Sequence, residues 1–325
     1  MTTVFTAHRH GANANTVSTA HPRRFFMLGI ALASILVLLL SACTSAGKQD
    51  EKKTVLTTFT VMKDMAQAIA GDRLRVESIT SPGEEIHDYQ PSPDDIRRGA
   101  DADLIVKNGL GLERWFEKLT SQSDAQTVTA AKGVTAIPIA EGDHRGEPNP
   151  HAWMSPKNGK IYVDNLVKAF SKLDSRHAKE FKANGEAYKA KIDAIAKNMQ
   201  TKLASVPQGQ RALVTCEGAF SYLTRDYGLE EHYLWGVNAE GAMTPKRVAS
   251  VQDVVKKNHI RAVFCESTVE GKMDAVVQAT GAKYGGTLYV DSLTNASGPA
   301  STYLDLLKHD TSTIAAGLSG SGEAK

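Results

Sequence analysis

The 325-residue sequence predicts an α/β protein of two lobes, each built on a mainly parallel sheet flanked by helices, with one long rigid connector helix joining them. Three observations predict this. Strand-length apolar runs alternate with amphipathic stretches, a βαβα rhythm that implies parallel strands with helices on both faces. The rhythm occurs in two sets, one before residue 175 and one after Pro207. Between the sets, Arg176 to Ala204 is poor in proline and β-branched residues and rich in Ala, Lys and Glu.

In the first set, Thr54 to Phe59 reads as a strand and Val61 to Ala70 as a helix closed by Gly71 in the C-cap position. Leu74 to Ile79 and Asp103 to Val106 read as further strands, with a helix over Pro93 to Arg98 between them. In the second set the strands are Arg211 to Thr215, His232 to Val237, Arg261 to Cys265 and Thr287 to Val290. Helices near Phe220 to Tyr227, Pro245 to Asn258 and Met273 to Thr280 separate them, and Thr244-Pro245 supplies an N-cap and a first-turn proline for the middle one. In the connector, Ala178, Phe181, Ala187, Tyr188, Ile192, Ile195, Met199 and Leu203 recur at roughly helical spacing. A helix of about 28 residues is about 40 Å long. The alternative is an ordinary amphipathic helix within one domain, and in either reading Gly185 is a tolerated weakness.

The amino terminus indicates location. Residues 1 to 24 contain no Asp, Glu or Lys but carry Arg23 and Arg24, and Phe25 to Leu40 is an apolar run broken only by Gly29 and Ser34. About 16 apolar residues is short for a membrane span and right for a secretory signal. The run ends at Leu40-Ser41-Ala42-Cys43, which resembles the lipobox of bacterial lipoproteins, where the cysteine is diacylated and becomes the first mature residue. A transmembrane anchor with an incidental cysteine is the alternative. Arg23-Arg24-Phe25-Phe26 faintly resembles a twin-arginine signal, but the strongly apolar run favours the general secretory route. Two acyl chains anchor stably where one is marginal. The expected location is therefore the outer face of the bacterial cytoplasmic membrane.

The expected boundaries are a lipoprotein signal over 1–42, a lipidated tether over 43–53, a first lobe over 54–175, the connector over 176–204, a second lobe over 205–318 and a disordered tail over 319–325. The 283 residues from Cys43 onward carry 35 basic and 36 acidic side chains. That balance offers nothing to nucleic acid. Besides Cys43 only Cys216 and Cys265 remain, each at the end of a strand and each followed by Glu. An oxidising compartment permits a disulfide. Cysteines on adjacent parallel strands often aim their Cβ atoms badly for one, so separate thiols are the favoured expectation.

Four potential metal ligands, His87, His151, Glu217 and Asp291, each lie in a short polar segment where a strand runs out. Two imidazoles and two carboxylates suit a divalent first-row cation, the nitrogens fitting a borderline metal and the oxygens neutralising its charge. In open parallel sheets ligands bind beyond the carboxyl ends of the strands, which puts the metal in the cleft between lobes. Taken singly, each residue has an ordinary reading. His87 and His151 would be solvated loop histidines, Asp291-Ser292 a turn cap, and Glu217 an anchor for a helix N-terminus. Glu266 is the rival carboxylate, because Cys265-Glu266 mirrors Cys216-Glu217; it reads as a second-shell or capping group.

The phrases TTFTVMKDMAQAIAGD, EIHDYQPSPDDI, NPHAWMSPKN, EGAFSYLTRDYGL, YGGTLYVDSL and GPASTYLDLL closely resemble the metal-binding lipoproteins of ABC importers for manganese, zinc and iron. The likeness runs from about Thr57 to Gly317. It implies two α/β lobes bridged by a rigid helix, with His87, His151, Glu217 and Asp291 as the four ligands of one transported divalent ion. It also implies a membrane permease with a cytoplasmic ATPase as partner and a monomeric receptor that performs no chemistry. Zinc receptors of this family commonly carry a long loop rich in His and acidic residues and a third ligand that is His. Here only Glu141 to Glu147 precedes His151, and the third position is Glu217. The pattern resembles the manganese branch, with iron or zinc as the alternatives. Trp235-Gly236-Val237 departs from the family's usual Trp-Pro-Ile, and Ala239 to Met243 departs as well, which bears on loop shape near the cleft. A zinc hydrolase and an adhesin are the rival classes. The chain lacks H-E-x-x-H and G-x-S-x-G, and a fourth protein ligand closes the position that a catalytic metal keeps open.

Overall fold

Strands β1 (Thr54–Thr57), β2 (Arg75–Ser78), β3 (Leu104–Lys107) and β4 (Gln126–Thr129) form one parallel sheet in the order β2-β1-β3-β4. They belong to a computed structural model that describes residues 52–142, 144–237 and 243–320. Cys43, the signal segment and most of the tether and tail lie outside the described residues. Among those described, no helix is long and apolar enough to cross a membrane.

The central strand β1 buries Val55 and Leu56 completely, and helix α1 (Thr60–Ala70) covers it with Val61, Met62, Met65, Ala66 and Ile69. Gly71 ends α1 at positive φ, its N–H returning to the Gln67 carbonyl. Helix α2 (Pro93–Asp101) starts on a capping box, in which Ser92 and Asp95 exchange side-chain and backbone bonds around Pro93. A short α3 (Phe116–Leu119) follows β3. Helix α4 (Pro156–Leu173), capped by Ser155 with Pro156 in its first turn, completes this lobe.

Helix α5 (Ala178–Ala204) is one unbroken helix of 27 residues, preceded by a 3₁₀ turn at Ser175–His177. Gly185 within it is a packing device more than a weakness. A Cβ there would come within 2.4 Å of the Val167 side chain on α4, so the bare backbone is what lets the two helices approach. Phe170 and Phe181 meet edge to face beside this contact, 5.9 Å between centroids, and truncating either would cost about 3–5 kcal/mol.

In the second lobe β5 (Ala212–Glu217) leads to α6 (Ser221–Tyr227) and pairs in parallel with β6 (Glu230–Trp235). Helix α7 (Pro245–Lys257) then leads to β7 (Ala262–Glu266), and α8 (Asp274–Thr280) to β8 (Lys283–Leu288), the last two strands forming a second parallel pair. Helix α9 (Tyr303–Ser319) closes the chain. The fold is thus two α/β lobes with parallel sheets and a long connecting helix, as expected from the rhythm. Apolar packing does not stop at the lobe boundary, because one cluster runs from β1 and β3 through α1, α4, α5 and α9 to Leu213 and Phe264. A smaller cluster, including Val214, Trp235, Val251 and Val276, fills the far side of the second lobe.

Two expectations are corrected. Strand β8 lies several residues earlier than Thr287 to Val290, because Gly285-Gly286 hides its first half from a β-propensity reading. Cys216 and Cys265 are joined in a disulfide, with Cα atoms 4.9 Å apart. Among the described residues no ladder joins β5 to β7, so the two cysteines are not held to the register of paired parallel strands on which the unfavourable Cβ argument rested.

Candidate metal centre

His87 stands on the loop between β2 and α2, held by several short bonds. The Glu85 carboxylate accepts the N–H groups of both Ile86 and His87 at 2.9 Å, and Trp115 Nε1 donates to the Ile86 carbonyl at 2.8 Å. Ile86 is fully buried, which fixes its neighbour at the cleft surface. Earlier in the same loop the Gly83 N–H donates to Ser292 Oγ of the second lobe at 2.7 Å.

His151 ends the segment Asn149-Pro150-His151, an Asx-type turn in which Asn149 Oδ1 accepts the His151 N–H at 3.0 Å. Asn108 at the end of β3 braces this turn, with its Nδ2 donating to the Pro150 carbonyl and its Oδ1 accepting the Tyr162 hydroxyl. Behind it Trp153 is fully buried and donates Nε1–H to the Val290 carbonyl, beside Asp291.

The second lobe presents its carboxylates more directly. Glu217 is the last residue of β5, and its N–H donates to Glu266 Oε2 at 3.2 Å. Asp291 follows β8 after Tyr289, whose N–H donates to Asp310 Oδ1, and precedes Leu293, whose N–H donates to Thr60 Oγ1 of the first lobe.

These four side chains converge although they are far apart in sequence. One ligand atom from each of His87, His151, Glu217 and Asp291 lies within 4.8 Å of all the others, and all four residues are buried. The two Nε2 atoms are 3.2 Å apart, His151 Nε2 is 3.3 Å from Asp291 Oδ1, and His87 Nε2 is 3.8 Å from both Asp291 Oδ1 and Glu217 Oε1. Donors that share one ion at bond lengths of about 2.0–2.2 Å stand roughly 3–3.6 Å apart, so the gap matches the size of a small divalent cation.

The electrostatics favour cation capture. Burial holds both imidazoles below the ordinary histidine range, with Asp291 opposing the shift at His87 and Glu217 opposing it at His151. Each is therefore neutral near pH 7 and has a nitrogen lone pair to give. Burial pushes the Asp291 carboxyl above the usual range, and only when His87 is protonated would it oppose that shift. Its Oδ1 has no hydrogen-bond partner among the described residues. Unpaired carboxylate oxygen in a closed pocket is the condition that an incoming cation relieves.

Glu266 stays outside this set and lies directly behind Glu217. Burial first, and the Glu217 charge second, hold its carboxyl well above the usual range. Cys216 and Cys265 also lie within metal-ligand distance of Glu266, but their sulfurs are bonded to each other. None of the other described histidines joins the cluster. His144 instead meets Arg114 and Glu147 at the surface.

The departures near the cleft have a physical reason at Gly236. The turn from Ile139 to Glu147 crosses to the second lobe and sets the Glu141 carbonyl where a Cβ on residue 236 would stand, at 2.5 Å, while the Glu141 carboxylate pairs with Arg247. A proline at 236 would collide with that turn. Residues 238–242 lie outside the described residues. The residues that sequence reasoning missed are the supports, Asn149, Asn108, Thr60 and Ser292. Only Asn149 carried a signal, the Asx turn that Asn-Pro favours.

Comparison with known proteins agrees with this arrangement. The family model described as ZnuA, zinc-uptake complex component A, periplasmic, matches residues 55–317. The iron-binding protein YfeA of Yersinia pestis is 47% identical over 290 residues, covering 89% of this chain and 93% of YfeA. The metal ABC transporter substrate-binding lipoprotein SloC of Streptococcus mutans is 31% identical over 297 residues, 89% of this chain and 97% of SloC. Among solved structures, the manganese-bound periplasmic metal-binding protein of Candidatus Liberibacter asiaticus superposes with a TM-score of 0.76 at 36% identity, covering 82% of this chain and all of that one. By fold, extent of match and the clustering of its buried ligand-type side chains, the chain belongs to the ZnuA family of solute-binding proteins of metal ABC importers, which are metal receptors and not enzymes.

Proposed function

We propose that this receptor captures one divalent cation, manganese first, between His87, His151, Glu217 and Asp291, and hands it to a membrane permease powered by a cytoplasmic ATPase. The observation that carries the reading is the buried convergence of two neutral imidazoles from one lobe and two carboxylates from the other. Two carboxylates can each bind through one or two oxygens, which supplies the extra ligands manganese accepts while zinc prefers four. In this reading residues 54–175 and 205–318 are the lobes, 176–204 the connector, and an acylated Cys43 holds a monomeric receptor on the outer face of the membrane.

Ferrous iron is the second reading, favoured by the 47% identity to a protein named as iron-binding. Stripping the protein with chelator, reloading it anaerobically from an equimolar mixture of Mn²⁺, Fe²⁺ and Zn²⁺, and weighing the complex by native mass spectrometry tests the binding. One ion per chain is expected. Uptake of radioactive manganese and iron by cells carrying the receptor then separates the two cargoes. A chain that takes up no ion from the mixture ends the receptor reading.

Zinc is expected to be a tight competitor, because it lies above manganese and iron in the divalent stability order and the site offers two imidazoles. The measurement is a competition titration. Manganese displacing zinc at equal concentration would show that the site overrides that order.

A further inference from the structure

His151 and His87 are unequally prepared for a metal. His87 Nδ1 is buried and has no hydrogen-bond partner among the described residues, so nothing protein-borne there decides which of its ring nitrogens carries the proton. His151 Nδ1 lies 3.0 Å from Asn149 Oδ1. The identity of that Asn149 atom is settled twice over. It accepts the backbone N–H of His151, which can only donate, while the other end of the amide faces the Gly218 carbonyl at 2.7 Å, which can only accept. The atom toward the imidazole is therefore the amide oxygen, and His151 Nδ1 must carry the proton. This leaves the Nε2 lone pair free and pointed at Asp291 Oδ1 and His87 Nε2.

The amide is held in this orientation from the opposite lobe. Besides Gly218, the residue after Glu217, Asn149 Nδ2 meets Ser221 Oγ at 3.2 Å, and Ser221 Oγ donates to Glu231 Oε2 at 2.6 Å. Glu231 Oε1 accepts the Phe220 N–H at the start of α6, and the Tyr222 hydroxyl donates to the Asn149 carbonyl at 2.7 Å. Asn149 is thus a first-lobe residue whose side chain is oriented by the second-lobe turn that follows Glu217.

From this we propose that Asn149 is a positioning residue that fixes the His151 tautomer for metal binding and couples it to contact between the lobes. When the lobes part, Asn149 keeps the His151 N–H but loses the Gly218 carbonyl, so only one of its two fixings remains and the hold that keeps His151 Nε2 unprotonated is loosened. Separation weakens this nitrogen ligand, and so promotes release, without any movement of the metal itself. The inference rests on the receptor reading above and deepens it.

Nitrogen-15 NMR of the metal-free protein reads the tautomer directly. In the wild type the His151 Nδ1 is expected protonated and Nε2 bare, and the opposite assignment would overturn the proposal before any variant is made. Asn149→Ala should populate both tautomers and weaken Mn²⁺ binding about 10- to 100-fold, the usual range for supports of metal ligands. Asn149→Asp keeps an acceptor for Nδ1–H but cannot donate to Gly218. It should retain the tautomer while Mn²⁺ dissociates at least tenfold faster in stopped-flow chelation. Circular dichroism establishes that each variant is folded. An Asn149→Ala protein with an unchanged tautomer and a Kd within threefold of wild type overturns the positioning role, and wild-type dissociation from Asn149→Asp overturns the coupling. If the wild type binds neither Mn²⁺ nor Fe²⁺, the receptor reading fails instead, while the tautomer measurement still judges Asn149.

Discussion

In the first lobe both histidines stand on loops well beyond a strand, each moored by several hydrogen bonds to its own lobe and to the other. In the second lobe one carboxylate ends β5 and the other closely follows β8, with fewer polar supports beneath them. The sheets differ in the same sense. The first is a four-stranded parallel sheet, while the second consists of two parallel pairs joined by the Cys216–Cys265 bridge. The difference follows from what each half contributes. A neutral imidazole costs little to bury but must present the correct nitrogen, so its loop needs hydrogen bonds. A carboxylate needs no tautomer but is costly to bury, so in its lobe burial holds the Asp291, Glu266 and Asp310 carboxyls above the usual range.

The largest test of that contrast removes the ligands. Each of His87→Ala, His151→Ala, Glu217→Ala and Asp291→Ala should weaken Mn²⁺ binding by roughly 4 kcal/mol, about a thousandfold, by analogy with four-ligand structural zinc sites worth on the order of 10–16 kcal/mol in all. The metal-induced rise in melting temperature should vanish with it. The halves should separate by metal. Losing a histidine should penalise Zn²⁺ more than Mn²⁺, and losing a carboxylate should do the reverse, because softer metals lean on nitrogen and harder ones on oxygen. An unchanged thermal shift for any of the four removes that residue from the site, and the same assay on Glu266→Ala checks the rival carboxylate.

Next comes the bridge that holds the second sheet. Cys216 and Cys265 are 49 residues apart, and closing a loop of that size stabilises a fold by about 4 kcal/mol. The double replacement with serine should lower the urea midpoint accordingly while leaving the α4–α5 contact intact. Hydrogen exchange distinguishes the lobes. Faster exchange is expected in β5 and β7 and not in β1 and β3, and uniform acceleration would mean that the lobes do not unfold separately.

The sequence rendered these features unequally. Strands β1, β3, β5 and β7 were legible because each is a short, almost wholly buried apolar run. The connector was legible from its composition and spacing. Strand β4 was not, since Gln126 and Thr127 are exposed at a sheet edge and give no periodic signal. Helix α4 and helix α9 were overlooked although both carry start signals, Ser155-Pro156 and Thr302 with Asp305. The four site residues were legible as candidates, but their convergence rests on contacts across more than 200 residues of sequence, which local patterns do not encode. The bridge was misjudged because a regular ladder was assumed between β5 and β7, which lie in separate parallel pairs.

Protons sharpen the comparison further. Burial raises the Asp291 pKa, so near neutrality part of the metal-free population holds a proton there that a cation must displace. Mn²⁺ affinity should therefore rise with pH through the window between the ordinary carboxylate value and the raised one, by up to tenfold per unit per displaced proton, about 1.4 kcal/mol. Calorimetry in buffers of different ionisation enthalpy counts the protons released. The histidines, already neutral, should add nothing near pH 7, so an Asp291→Asn protein that still binds weakly should release none. Continued release from that variant would move the proton to another group.

The smallest effect compares two buried carboxyls that bind no metal. Glu113 in the first lobe accepts three hydrogen bonds, from Thr58 Oγ1 and from the N–H groups of Asn108 and Gly109. Asp310 in the second accepts one, from the Tyr289 N–H, and its Oδ2 has no partner among the described residues. Burial raises both, and at Asp310 only that one bond opposes it. A carboxyl whose folded pKa is raised binds its proton more tightly folded than unfolded, so stability falls as pH climbs from about 4 toward the raised value. Asp310→Asn, which resembles the protonated acid, should leave stability unchanged below about pH 4 and increase it at pH 8 by on the order of 1 kcal/mol in chelator-treated protein. Glu113→Gln should be destabilising at both pH values, because an amide placed among three donors cannot accept as a carboxylate does. If Asp310→Asn is instead the more harmful of the two at pH 8, the second lobe is not the one holding the less supported buried carboxyl, and the contrast between the lobes reduces to where their loops happen to fall.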